Sequence, residues 1–268
     1  MVSAKNKAVV DAIKRTDLNS YKALSDLLDM AKVIADPDGD HDLAYALKLT
    51  NFIKRKIPTL PPSMGMNGLY WQTLKFEAPH VFESFMLCME KNRPPEERFY
   101  QPRINPLRQV ADAIQELAED KLDELFINMP SRVGKTQIVK FAFLWWGSRN
   151  TELSNLYTAF SDKITKGFYA GIIELINDPT YTYHEIFPDI AIEKTSGDDL
   201  TVDLVRRKTY PTFTCRSIYG TLNGACDCSG LAVADDLFSG IDEAVSVDRQ
   251  ATVWAKFDNN FMKRLKKK

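Results

Sequence analysis

A glycine, a lysine and a threonine in succession, at positions 134–136, are the residues whose types and spacing most directly indicate chemistry. They close the eight-residue loop 129–136, MPSRVGKT, which follows an apolar run and precedes an apolar helical pattern. In a loop of this kind the backbone N–H groups and the positive end of the following helix bind phosphate. Lys135 would reach the β- and γ-phosphates of a nucleotide, and the Thr136 hydroxyl would ligate Mg²⁺.

The phosphate-loop pattern normally begins with glycine, whereas Met129 occupies that position here. The alternative is a chance Gly-Lys-Thr at the start of a helix. The surrounding pattern favours the phosphate loop, because residues 125–129 (LFINM) predict a buried strand and residues 137–146 predict an apolar helix.

A pair of acids at the end of a second apolar run is the expected partner of this loop. Residues 231–235 (LAVAD) predict a strand, and Asp235 comes 100 residues after Lys135. Asp235 would hold Mg²⁺ through water, and Asp236 would polarise the attacking water. The alternative is an acidic pair that merely caps the end of a strand.

Helices and strands alternate from about residue 100 onward. The patterns predict helices at 108–117, 137–146 and 164–176, strands at 125–129, 156–160 and 231–235, and hairpin-like runs near 201–205 and 211–218. Strands separated by helices favour βαβ units and a parallel sheet.

The first part of the chain has a different pattern. Apolar residues at helical spacing predict two or three helices within residues 1–57, the first of them around Val9, Ala12 and Ile13. Residues 58–68 are rich in proline and glycine and predict a linker, and residues 76–91 predict a further helix.

Composition excludes several classes of protein. The chain has 268 residues, 44% of them hydrophobic, with a formal charge of −1, which excludes a disordered chain and a histone-like basic protein. It has no run of 18 apolar residues, so we expect no membrane span.

The basic residues near the C-terminus predict either a solvated helix end or a DNA contact; they are Lys263, Arg264, Lys266, Lys267 and Lys268.

Residues from about 99 to 265 resemble the N-terminal ATPase domain of the large terminase subunit, the DNA-packaging motor of tailed bacteriophages. The similar segments occur in the same order: an adenine-side segment at 102–117, the phosphate loop at 128–136, a strand and helix at 157–167, Phe-Pro-Asp at 187–189, a glycine-rich turn at 220–224, and Asp235-Asp236 with Ser246 and Trp254.

The resemblance implies a phosphate-loop NTPase fold of the ASCE type, a three-layer αβα domain with a central, mainly parallel sheet over residues 99–268, preceded by a helical region over residues 1–98. It implies ATP and Mg²⁺ as cofactors. The implied catalytic residues are Lys135, Arg132 and Asp236, and the implied Mg²⁺ ligands are Thr136 and Asp235. The implied nucleotide-binding residues are Ser131, Arg132, Val133, Gly134, Lys135, Thr136, Arg108 and Gln109.

The resemblance also implies double-stranded DNA, a portal protein and a small terminase subunit as partners, a homo-oligomeric ring, no membrane, and the cytoplasm of an infected bacterial host.

Two departures from the family are visible. Many terminases have glutamate at the position of Asp236, and Lys268 falls where the next strand and the coupling motif would begin, so we expect neither that motif nor a nuclease domain. Another ASCE-type DNA translocase or helicase-like ATPase, and a non-hydrolysing nucleotide-binding assembly protein, remain alternatives.

Overall fold

A computed structural model describes residues 18–36, 42–130, 132–205, 209–222, 224 and 226–265. The predicted helix around Val9 and the last three lysines lie outside these residues, as does Ser131. Packing divides the chain into two compact units, Met1–Cys88 and Met89–Lys268.

The described part of the first unit is helical. Its described helices are α1 (Tyr21–Ala35), α2 (Leu43–Lys56), α3 (Met64–Glu77) and α4 (Phe82–Met89). Side-chain oxygens of Ser20 and Asp42 accept hydrogen bonds from the first turns of α1 and α2, which satisfies backbone donors that a helix leaves unpaired. The apolar faces of α1, α2 and α3 form one buried core: Leu24, Leu27, Leu28, Ala31, Ile34, Ala46, Leu49, Ile53, Met66 and Leu69.

Two predictions for this region are wrong. The linker expected at 58–68 ends earlier, because Ser63 caps a helix that begins at Met64 and its hydroxyl accepts a hydrogen bond from the Met66 N–H at 3.2 Å. The single helix expected at 76–91 is two helices, since α3 ends at Glu77 and α4 begins at Phe82. Pro79 lies in the gap and explains it, because proline interrupts the helical hydrogen-bond ladder.

The boundary between the units falls before Met89, whereas the sequence pattern places the change at residue 98. Residues of the intervening segment are tied to the second unit. The buried Glu90 carboxylate accepts hydrogen bonds from the backbone N–H groups of Phe99 (2.6 Å) and Tyr100 (2.9 Å). Arg93 forms an ion pair with Asp178 at 3.2 Å.

The second unit has a mixed α/β fold. Its helices are α5 (Ile104–Ala118), α6 (Lys135–Arg149), α7 (Asp162–Asn177), α8 (Tyr183–Ile186), α9 (Ile241–Val245) and α10 (Val247–Lys256). Its strands are β1 (Asn155–Ala159), β2 (Lys194–Ser196), β3 (Thr201–Asp203), β4 (Phe213–Ser217) and β5 (Ala232–Ala234). None of the helices in the described part of the chain has the length and apolar character needed to cross a bilayer.

The five strands of the described residues form one sheet in the order β2-β3-β4-β1-β5. β1 pairs in parallel with both β4 and β5, whereas β2–β3 and β3–β4 are antiparallel. The predicted parallel pairing is therefore present among β4, β1 and the edge strand β5, and the antiparallel strands β3 and β2 extend the sheet on the other side of β4.

The strand predicted at residues 125–129 is wrong. These residues adopt no regular secondary structure and belong to none of the five strands, and the Phe126 side chain is 87% exposed. An apolar run forms a strand only where a neighbouring strand supplies hydrogen-bond partners, and none of the described strands pairs with this segment. The predicted phosphate loop is therefore not preceded by a strand.

β1 is buried along its whole length, and its side chains pack into the core on both faces of the sheet. The Tyr157 ring stacks on Phe168 of α7, with ring centroids 3.5 Å apart, and meets Phe143 of α6 edge-on at 6.5 Å. The adjacent Leu156 belongs to a second cluster that includes Leu222 and Phe261. This alternation follows from the period-two geometry of a strand and covers both faces of the sheet.

Two helical glycines differ in the space around them, and this predicts opposite effects of alanine. A Cβ at Gly147 of α6 would overlap the buried Phe213 ring, so Gly147→Ala should destabilise the fold by about 1–3 kcal/mol. A Cβ at Gly167 of α7 meets nothing within 4 Å, so Gly167→Ala should stabilise it by roughly 0.5–1 kcal/mol through helix propensity. Urea or thermal unfolding of both variants checks this, and equal shifts would contradict the packing of α6 on β4.

Candidate functional site

Two described residues of the loop before α6 have a left-handed backbone conformation. Gly134 caps the helix with φ of +102°, and Arg132 has φ of +65°. Lys135 and Thr136 then occupy the first turn of α6, where backbone N–H groups have no partner within the helix. The loop and the helix start can therefore bind an anion through backbone donors.

The Phe99 ring covers Gly134, a contact that the sequence pattern does not predict. A Cβ at position 134 would overlap this ring, so both the backbone conformation and the space require glycine. Phe99 stacks on Phe141 of α6 with ring centroids 5.9 Å apart, and the Arg103 guanidinium lies 5.5 Å from the Phe99 ring centroid.

The pairing of β1 with β5 positions the two acids. The Asp235 N–H donates to the Thr158 carbonyl at 2.9 Å, and the Phe160 N–H donates to the Asp236 carbonyl at 3.2 Å. Asp236 has φ of +44°, a conformation that asparagine and aspartate tolerate better than most residues. The backbone of both acids is therefore held just after β5 by hydrogen bonds to the end of the buried strand β1.

Lys135 joins the loop to both acids. Its Nζ lies 2.8 Å from Asp236 Oδ1 and 3.2 Å from Asp235 Oδ1. Asp235 is buried, with a side chain only 7% exposed, while the Asp236 side chain is 55% exposed. Partial burial opposes the charged form of Lys135, but the hydrogen bond to Asp236 and the attraction of Asp235 outweigh it and raise the pKa of Lys135.

The second oxygen of Asp235 faces two hydroxyl groups. The Thr136 Oγ1 lies 3.5 Å from Asp235 Oδ2, and the Tyr157 hydroxyl donates to the same oxygen at 3.3 Å. Burial, together with the negative charge of Asp235, raises the pKa of Tyr157 well above its ordinary value, so this hydroxyl stays protonated at neutral pH.

These donors suit a magnesium–phosphate ligand. The Asp235 and Asp236 carboxylates and the Thr136 hydroxyl are hard oxygen ligands, and Mg²⁺ is commonly held by one or two carboxylates together with substrate phosphates. Among the described residues there is no cluster of three or more His, Cys, Asp or Glu placed to hold a metal. The residues that could hold Mg²⁺ here are Thr136, Asp235 and Asp236.

The other candidate residues lie in different surroundings. Arg132 is exposed and Val133 is half-buried within the loop, whereas Ser131 lies outside the described residues. Arg108 and Gln109 lie at exposed positions of α5. The structure thus brings Lys135, Thr136, Asp235 and Asp236 together, and it adds Tyr157 and Phe99, which no motif in the sequence distinguishes from ordinary core aromatics.

Comparison of the chain with protein-family models and with curated proteins finds no match in either.

Proposed function

We propose that this chain binds ATP with Mg²⁺ at the loop before α6 and hydrolyses it. The supporting observation is the contact of Lys135 and Thr136 with Asp235 and Asp236, residues 99 to 101 positions apart in the sequence. A cationic side chain, a hydroxyl and two carboxylates converge beside the open backbone donors of a helix start. Phosphoryl transfer requires such positioning and charge neutralisation, and little other protein chemistry.

Lys135 is the residue that would change partners during this reaction. Its ion pair with the half-exposed Asp236 is short, but a solvent-screened pair of this kind contributes at most about 1 kcal/mol. The β- and γ-phosphates carry more negative charge and would compete for the ammonium group. Once Lys135 turns to phosphate, the Asp236 carboxylate is free to accept a hydrogen bond from the attacking water.

Asp235 and Thr136 have a different role. Asp235 is buried and its backbone is fixed by β1, so it is suited to hold a metal ligand or its water in a constant position. Thr136 presents its hydroxyl on the same side, next to Asp235 Oδ2. Bound there, Mg²⁺ would neutralise phosphate charge and orient the terminal phosphate.

We further propose that the hydrolysis drives double-stranded DNA into a viral procapsid, as in a terminase large subunit, with a three-layer ASCE-type domain formed by the second unit. The support is the order of segments in the sequence and the parallel pairing of β1 with β5, whose carboxyl end carries the acids. A portal protein, a small terminase subunit and a ring of copies would complete the motor. A catalytic role for Arg132 at the γ-phosphate belongs to this proposal.

Substitution of Lys135 tests the phosphate-binding role. Lys135→Ala should lower the rate of ATP hydrolysis on the order of 10²-fold or more, because it removes a cation from the developing phosphate charge. Lys140→Ala is the matched control, since Lys140 lies on the same helix and packs beside Gly171 of α7, away from the acids. Phosphate release is measured with and without double-stranded DNA, and circular dichroism checks the fold.

Hydrolysis at the parental rate by folded Lys135→Ala would show that this loop is not the nucleotide site. If double-stranded DNA does not accelerate hydrolysis, the proposed ATPase activity still stands, but the proposed DNA-packaging role is contradicted. Nucleotide binding without any phosphate release would favour a non-hydrolysing assembly protein.

The two acids should give different defects when they are made neutral. Asp235→Asn should weaken Mg²⁺-dependent nucleotide binding, because the buried carboxylate is the metal-side ligand. Asp236→Asn should still bind ATP with Mg²⁺ but hydrolyse it roughly 10²–10⁴-fold more slowly, as expected on loss of a general base. Equilibrium binding and single-turnover hydrolysis measured on both variants separate the roles, and an equal loss of binding in the two would contradict this division.

A further inference from the structure

The Tyr157 hydroxyl is a buried polar group whose position cannot be explained by packing. The side chain is fully buried, and its ring contacts Phe168 and Phe143. A phenylalanine would fill the same space without the cost of removing a hydroxyl from water. The hydroxyl instead donates a hydrogen bond to Asp235 Oδ2, at 3.3 Å.

The two oxygens of Asp235 therefore have separate partners. Oδ1 lies 3.2 Å from Lys135 Nζ, while Oδ2 lies 3.3 Å from the Tyr157 hydroxyl and 3.5 Å from Thr136 Oγ1. An ionised carboxylate only accepts hydrogen bonds, so the tyrosine must be the donor. Its ring is held by the Phe168 stack, which fixes the direction from which the donor approaches.

We propose that Tyr157 is a positioning residue for the metal-binding carboxylate: its hydroxyl holds Asp235 in the orientation that faces Thr136. This inference rests on the proposed Mg²⁺-nucleotide site. Partners that hydrogen-bond a metal-ligating carboxylate fix its orientation, and their loss typically reduces metal affinity or activity about 10–100-fold. Tyr157 acts through Asp235 and makes no contact with substrate in this role.

Tyr157→Phe tests the role, with Tyr183→Phe as the matched control. Tyr183 is also fully buried, and its hydroxyl forms a 2.8 Å hydrogen bond with Ser148. Both variants lose one buried tyrosine hydroxyl, but only Tyr157 contacts an acid of the site. The measurement is binding of a fluorescent, non-hydrolysable ATP analogue across a Mg²⁺ titration, together with a thermal melt of each variant.

Tyr157→Phe should raise the Mg²⁺ concentration for half-maximal analogue binding about tenfold, and binding should recover at saturating Mg²⁺. Tyr183→Phe should leave that concentration unchanged even if it lowers the melting temperature. Recovery at high Mg²⁺ separates positioning from structural damage, because a damaged site would bind less analogue at every Mg²⁺ concentration.

The same midpoint in Tyr157→Phe and the parent would overturn the inference, as would an equal shift in the two variants. Absence of Mg²⁺-dependent analogue binding in the parent would instead contradict the proposed function itself. If Tyr157→Phe does not fold, Phe168→Leu gives the second test, since it removes the stacked ring and leaves the hydroxyl. An unchanged Mg²⁺ requirement in that variant would equally overturn the role of Tyr157.

Discussion

The ammonium group of Lys135, held between the carboxylates of Asp235 and Asp236, is the interaction on which the arrangement of the site depends. Two adjacent carboxylates at the end of a strand repel one another, and Asp235 is removed from water as well. Because Asp236 is half-exposed, solvent screens its pair with Lys135, and that pair contributes at most about 1 kcal/mol. Lys135 offsets this repulsion and holds the start of α6 next to the acids.

β1 makes that contact possible. Its parallel register with β5 determines where along the sheet β5 ends and the two acids follow. The Thr158 carbonyl of β1 accepts a hydrogen bond from the Asp235 N–H and so fixes the backbone of this acid. Its Tyr157 side chain packs between α6 and α7 and also reaches Asp235. The strand therefore connects the aromatic core, which supplies stability, with the charged cluster, which would supply chemistry.

The sequence predicts the parts of the site that depend on local patterns. The start of α6 follows from Gly-Lys-Thr before an apolar helix, and the end of β5 follows from an apolar run that stops at two acids. Residues 125–129 have a strand-like composition but form no strand, because pairing depends on a neighbour that no local pattern reveals. The contacts of Phe99 with Gly134 and of Tyr157 with Asp235 join residues 35 and 78 positions apart, and such contacts depend on tertiary packing.

The structure of the chain bound to Mg²⁺ and a non-hydrolysable ATP analogue tests the central role of Lys135 most directly. We expect the phosphates to lie against the backbone of residues 132–136, with the metal between Thr136 and Asp235. Lys135 Nζ should leave Asp236 for the phosphate oxygens, so that the present 2.8 Å contact is broken. A nucleotide bound elsewhere, or one bound at the loop while Lys135 keeps its contact with Asp236, would contradict the proposed exchange of partners.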